Sequence, residues 1–166
     1  MSSDFVFVND VGPRDGLQNQ QVHVSSDDRI RLIGALIDAG VPDIEVASFV
    51  SPKAVPQMAG AGEIVRHFEH ASANISSLVP NQKGYELAKA AGAKIISVVP
   101  SATETMNQKN INMSLEQTVR VSCEILQQAK ADGLTPQAYV AVAVECPYEG
   151  KVATAQVMDV AQKLWD

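Results

Sequence analysis

Five short, largely apolar runs recur along this chain, each followed by a helix-like pattern, and that repetition constrains the fold more than any other feature. The runs begin near residues 5, 44, 75, 95 and 138, about 33 residues apart on average, which is the scale of a strand–helix repeat whose right-handed crossovers build a parallel sheet. Phe5-Val6-Phe7-Val8, Ile44 to Val50, Ile75 to Val79, Ile95 to Val99 and Ala138 to Val144 read as strands covered on both faces. Pro80 and Pro100 close two of them.

The intervening segments carry helix signals. Ser25 or Ser26 can cap a helix in which Ile30, Ile33, Leu36 and Ile37 recur at helical spacing until Gly40 and Pro42. Further helices are predicted over Gly62 to Phe68, Gly84 to Ala91, Leu115 to Asp132 and Thr154 to Trp165, and Ser114 with Gln117 fits a capping box before the fourth of these. The Asn- and Thr-rich stretch between Val99 and Ser114 reads as a loop. The fold class is therefore α/β: a parallel-sheet, TIM-type (β/α)8 barrel, of which only the first five βα units are present. Eight units need about 260 residues, and 166 hold five. The alternative is a complete open five-stranded α/β domain. Lys163-Leu164-Trp165-Asp166 stops inside an amphipathic pattern, so the expectation is one domain over 1–166, C-terminally incomplete.

Composition excludes several function classes. A formal charge of −6 without a basic run argues against nucleic-acid binding. No apolar stretch approaches the 18 to 20 residues of a membrane span, and Met1-Ser2-Ser3-Asp4 does not begin a signal peptide. A soluble, cytoplasmic protein is expected. Cys123 and Cys146 form no CxxC and no disulfide framework.

Chemistry in parallel α/β folds gathers where strands end. The first such loop is Gly12-Pro13-Arg14-Asp15-Gly16-Leu17-Gln18-Asn19. Arg14 offers a permanent cation and a planar donor fork for a developing enolate, and Asp15 a hard oxygen ligand for Mg²⁺ or Mn²⁺. A plain surface turn is the alternative. Glu45 lies in an otherwise apolar strand, where a carboxylate needs a cationic or metal partner, and Arg14 is the nearest candidate. A wet strand end is the other reading. Ser48, Ser51, Lys53, Asn107 and Asn110 are strand-end polar groups suited to hydrogen bonding a ligand. Glu145 and Glu149 should raise the pKa of Cys146, which argues against a catalytic thiol. His67 and His70 lie three apart on a helix and could share a metal, but a solvated helix face is the favoured reading, and His23 is isolated.

Val11 to Asn19, Ile44 to Met58, Lys109-Asn110-Ile111-Asn112 and Cys146-Pro147-Tyr148-Glu149-Gly150 together resemble the hydroxymethylglutaryl-CoA lyase family, within the metal-dependent pyruvate carboxyltransferase-like barrels. The resemblance runs from about residue 5 to the last residue. It implies cleavage of 3-hydroxy-3-methylglutaryl-CoA to acetoacetate and acetyl-CoA with a divalent cation, Mg²⁺ or Mn²⁺, an acyl-CoA substrate as partner and a possible homodimer. By motif, Asp15 corresponds to a metal ligand, Arg14 to the enolate-stabilising arginine and Glu45 to an active-site glutamate, while Gln18, Ser48 and Asn110 are the implied substrate contacts. The family's His-x-His, a later asparagine and its catalytic cysteine have no counterpart within these residues, and Cys146 matches a different family cysteine. The chain alone is therefore expected to be inactive. Asp10, Gln21 and Val142-Ala143-Val144-Glu145 depart from the family pattern, which leaves acyl-chain specificity open. Two alternatives remain: a non-catalytic half-barrel that self-associates through its open edges, and a related acyl-CoA condensing synthase.

Overall fold

The computed structural model describes residue 6 and residues 8–165. Two compact units emerge, one running to Leu78 and taking in Glu86–Ile95, the other formed by Val79–Tyr85 and the residues from Ile96 onward. The five strands of the parallel sheet are ordered as they occur in the sequence. No helix among the described residues is long and apolar enough to cross a membrane.

In the first unit, β1 (Asn9–Asp10) pairs in parallel with β2 (Asp43–Ser48), Asn9 opposite Asp43 and Asp10 opposite Ile44. On its other side β2 pairs with β3 (Asn74–Leu78), and the register slips between Glu45 and Ala47, so that Val46 forms a bulge. Ile44, Val46 and Ala47 are buried, as a strand covered on both faces requires. The first strand expected over Phe5–Val8 is placed differently: Val6 and Val8 are exposed and outside any strand, and Phe5 and Phe7 lie outside the described residues.

Helix α1 (Ser26–Asp38) starts where Ser25 accepts a hydrogen bond from the Asp28 N–H, with Asp27 and Asp28 at the positive end of its dipole. It buries Ile33. Helix α2 (Ala61–His67) begins at Gly60, whose φ of +78° favours glycine and whose Cβ, if present, would stand 2.3 Å from the Ser26 hydroxyl. Of helix α3 (Gln82–Ala90), the part from Glu86 onward belongs to this unit.

The second unit contains β4 (Ile95–Val98) from Ile96 onward, α4 (Glu104–Ile111), α5 (Leu115–Ala131), β5 (Thr135–Ala138), the antiparallel pair β6 (Glu145–Cys146) and β7 (Gly150–Lys151), and α6 (Thr154–Trp165). The capping box forms as read: Ser114 Oγ accepts from the Gln117 N–H, and Gln117 returns its Oε1 to the Ser114 N–H. Helix α5 buries Val119, Ile125, Leu126 and Ala129.

Two expectations fail here for visible reasons. The stretch before Ser114 is a helix, not a loop, because the buried Asn107 side chain receives the Ser101 N–H and donates to the carbonyls of Ser101 and Thr103, fastening the helix start. Asn112, at φ +54°, ends it. The fifth strand occupies Thr135–Ala138 instead of Ala138–Val144: only an isolated parallel bridge, Ser101 to Ala141, continues it, and Val142 takes φ +53°, which no β-branched residue adopts within a strand.

Tyr85, buried on α3, donates its hydroxyl to Asp132 at the end of α5. Burial first, and the Asp132 carboxylate second, push its pKa up to about 12. The unfolded chain ionises near 10, so the neutral phenol's contribution to stability is complete below about pH 10 and is lost as pH rises toward 12. Urea unfolding of the chain and of Tyr85→Phe from pH 8 to 12 should show an alkaline loss in the parent that the variant lacks.

Candidate active site

The loop after β1 closes as one wide helical turn, Gly12–Gly16, in which the Val11 carbonyl accepts from the N–H groups of Arg14, Asp15 and Gly16 at 3.2, 2.7 and 3.4 Å. Pro13, near its start, has no N–H to leave unpaired. The Gly12 N–H donates to Asp10 Oδ1 at 2.8 Å, and a Cβ at Gly12 would stand 2.9 Å from that same oxygen, too close for any side chain without a shift. The turn thus sets Arg14 and Asp15 beside the strand neighbouring β1.

There the guanidinium meets Glu45. Arg14 Nε donates to Glu45 Oε1 at 2.6 Å and Nη2 approaches the same oxygen at 2.5 Å, while Nη1 donates to Asp15 Oδ1 at 2.8 Å. Accessibility is graded across the three: the Glu45 side chain is 0% exposed, Arg14 11% and Asp15 55%. The cation therefore bridges a buried carboxylate to one that solvent can reach. Glu45 Oε2 is buried without a hydrogen-bond partner, and so are Ser48 Oγ at the end of β2 and Oε1 of the half-buried Gln18. Buried polar atoms left in this way are uncommon, since most find a partner within the protein or in ordered water.

The remaining sequence candidates lie elsewhere. Asn110 is exposed in the last turn of α4, in the second unit, and so sits on a helix, not in the strand-end loop where it was expected. Asn107 is buried and fully engaged. Ser51, Lys53, His23, His67 and His70 are exposed.

Cys146 is buried, with Thr103 donating its hydroxyl to the sulfur at 3.2 Å. Burial pushes this thiol up, but the bonds from Thr103 and from the backbone of Tyr148 and Glu149 outweigh it, and the thiol ends below its ordinary value despite the opposing Glu149 carboxylate. The expectation of a raised pKa is corrected, because neighbouring hydrogen-bond donors count for more than the acidic residues flanking it in sequence. Sequence reading also passed over Ser77, whose buried hydroxyl in β3 has no partner, although two adjacent serines inside an apolar strand are a visible signal.

Among the described residues no group of three or more His, Cys, Asp or Glu stands together as a ready metal cage. Asp15 offers one half-exposed hard oxygen donor, so these residues fit a divalent cation as one part of its coordination shell.

A family model described as HMGL-like matches residues 6–166. The mitochondrial hydroxymethylglutaryl-CoA lyase of Rattus norvegicus is 44% identical over 161 residues, 96% of this chain and 50% of that protein. The cytoplasmic 3-hydroxy-3-methylglutaryl-CoA lyase of Danio rerio is 40% identical over 163 residues, 98% of this chain and 49% of that protein. In structure, an HMG-CoA lyase from Acinetobacter baumannii, solved in complex with coenzyme A and 3-methylmalate, matches with a TM-score of 0.89 at 32% identity, covering 99% of this chain and 54% of that one. The chain spans about half the length of the curated relatives it matches. Its ordered parallel strands with alternating helices correspond to the N-terminal part of a TIM barrel. With the match running over residues 6–166, the chain belongs to the HMGL-like family.

Proposed function

We propose that this chain is the N-terminal part of a divalent-metal-dependent carbon–carbon lyase that cleaves 3-hydroxy-3-methylglutaryl-CoA to acetoacetate and acetyl-CoA. The observation that carries the reading is the Arg14 bridge between buried Glu45 and half-exposed Asp15. In a retro-Claisen cleavage the 3-hydroxyl passes its proton to a base, and its oxygen becomes the acetoacetate ketone as the carbon–carbon bond breaks. The electron pair of that bond passes into the thioester enolate, and the enolate carbon then takes up a proton to give acetyl-CoA. A guanidinium already fixed along one edge by Glu45 stabilises that enolate with little reorganisation. The unpartnered Glu45 Oε2 is an acceptor for a substrate hydroxyl, and Ser48 and Gln18 are the proposed substrate contacts in the same unit. Asp15 is the residue here that would hold a divalent cation, whose chemistry there would be to polarise the substrate's oxygens.

An acyl-CoA is accordingly the proposed partner, and the A. baumannii relative was solved with coenzyme A. The cytoplasm is the proposed location. One metal-ligating carboxylate does not hold a catalytic ion in working geometry, so the 166-residue chain alone should not turn over substrate.

The test is a coupled assay for acetoacetate with the full-length protein. Chelation should abolish cleavage, and Mg²⁺ or Mn²⁺ should restore it. Asp15→Asn should raise the metal concentration needed for half-maximal activity by about 100-fold. Cleavage at the parental rate without a divalent ion, or an Asp15→Asn variant with parental metal dependence, would overturn the assignment.

A further inference from the structure

Arg29 lies on α1 and is 1% exposed, yet none of the hydrogen-bond partners of its guanidinium is acidic. Nη2 donates to the Val46 carbonyl at 3.1 Å, Nη1 donates to the carbonyls of Ala59 and Gln57 at 3.1 and 3.3 Å, and Met58 Sδ lies 3.8 Å from Nη2. A buried cation without an ion-pair partner is unfavourable, and burial lowers its pKa from the ordinary guanidinium value. An aliphatic side chain at this position, near buried Ile33, would carry no such penalty, so the cation must hold something that packing alone does not.

What it holds is visible from both ends. Val46 is the residue that the β2–β3 register skips, and a bulged residue needs an outside partner for its backbone polar groups. Glu45 immediately precedes it, so the bulge that Arg29 fastens sets where the Glu45 side chain emerges. Gln57, held through its carbonyl, donates its own Nε2 to the Gln20 carbonyl at 3.0 Å, at the far end of the segment that carries Arg14 and Asp15. One planar fork therefore braces the backbone beside Glu45 and, through Gln57, the loop beside Arg14.

We propose that Arg29 is a positioning residue: its buried guanidinium ties the Val46 bulge to the Gln57–Ala59 turn and so keeps the Arg14–Glu45 pair assembled. This rests on reading Arg14 and Glu45 as the working pair, but its test requires no turnover.

The readout is solvent exchange of the Arg14 side-chain Nε–H, followed by ¹⁵N NMR in the chain and in Arg29→Met and Arg29→Lys. Arg29→Met should exchange at Arg14 Nε–H about tenfold faster, with the backbone amides of α2 and β3 changing far less. Arg29→Lys has an ammonium that reaches only part of this carbonyl set, and should fall between the two. Unchanged exchange at Arg14 in folded Arg29→Met would overturn the proposal, as would acceleration by one common factor at every site, the sign of a merely structural role. Should Arg29→Met fail to fold, Arg29→Lys decides by the same criterion, local acceleration supporting the proposal and none or a uniform one overturning it. Failure of the lyase reading shows instead in the metal dependence of Asp15→Asn, so the two are distinguishable.

Discussion

Arg14→Gln in the full-length protein should lower kcat for thioester cleavage about a thousandfold while changing KM much less. Glutamine retains an N–H donor and much of the length but removes the charge that faces the developing enolate. Charge stabilisation is needed in the transition state and only weakly in the ground state, so the loss should fall on kcat. Arg14→Lys should recover part of the rate, since it restores the cation without the fork that grips Glu45 and Asp15 together. Steady-state kinetics at saturating metal checks both, with circular dichroism confirming that each variant is folded at the assay temperature. A variant lacking the charge that still cleaved at the parental rate would remove Arg14 from the mechanism.

The second large effect is on stability. Arg14→Met in the chain should cost about 3–5 kcal/mol, because Glu45 is 0% exposed and keeps a buried carboxylate with its partner removed. The penalty comes from the orphaned charge and not from the absence of an ion pair as such. The double variant Arg14→Met/Glu45→Met should therefore recover most of the loss. Urea unfolding at pH 7 of the parent, both single variants and the double variant closes the cycle. Equal and additive losses from the two single substitutions would show that the pair is not coupled. Asp15 is expected to contribute little here, as its carboxylate is half in water.

Much of this arrangement was legible in the residues. The apolar runs located β2, β3 and β4, and the Ser114–Gln117 pair marked the start of α5. Glu45 stood out because an acidic residue in a buried strand needs a partner, and the partner inferred for it, Arg14, is the one it meets. Position on a strand or helix follows from local pattern, and burial follows from hydrophobicity, so features depending on these two alone were readable.

Other features depend on contacts that span the chain. Helix α4 replaces an expected loop because one buried asparagine side chain satisfies three backbone groups around its first turn, and that outweighs the weak helix propensity of Asn and Thr. Arg29 had no sequence signature at all: beside Ile30, at the start of an amphipathic helix, a charged residue reads as the wet face. Its burial follows from carbonyls at Val46, Gln57 and Ala59, 17 to 30 residues away, converging on its fork.

Taken by itself, the sequence determined the strand–helix repeat, the family, and which strand ends bear charge, because periodicity and residue chemistry are local properties. Only the tertiary structure decided that Val46 bulges out of register, that Arg14 grips Glu45 through a single oxygen, and that a cation from α1 is buried against the strand's backbone. Those outcomes are set by which backbone groups remain unpaired once the sheet has formed, and that becomes known only when the segments meet.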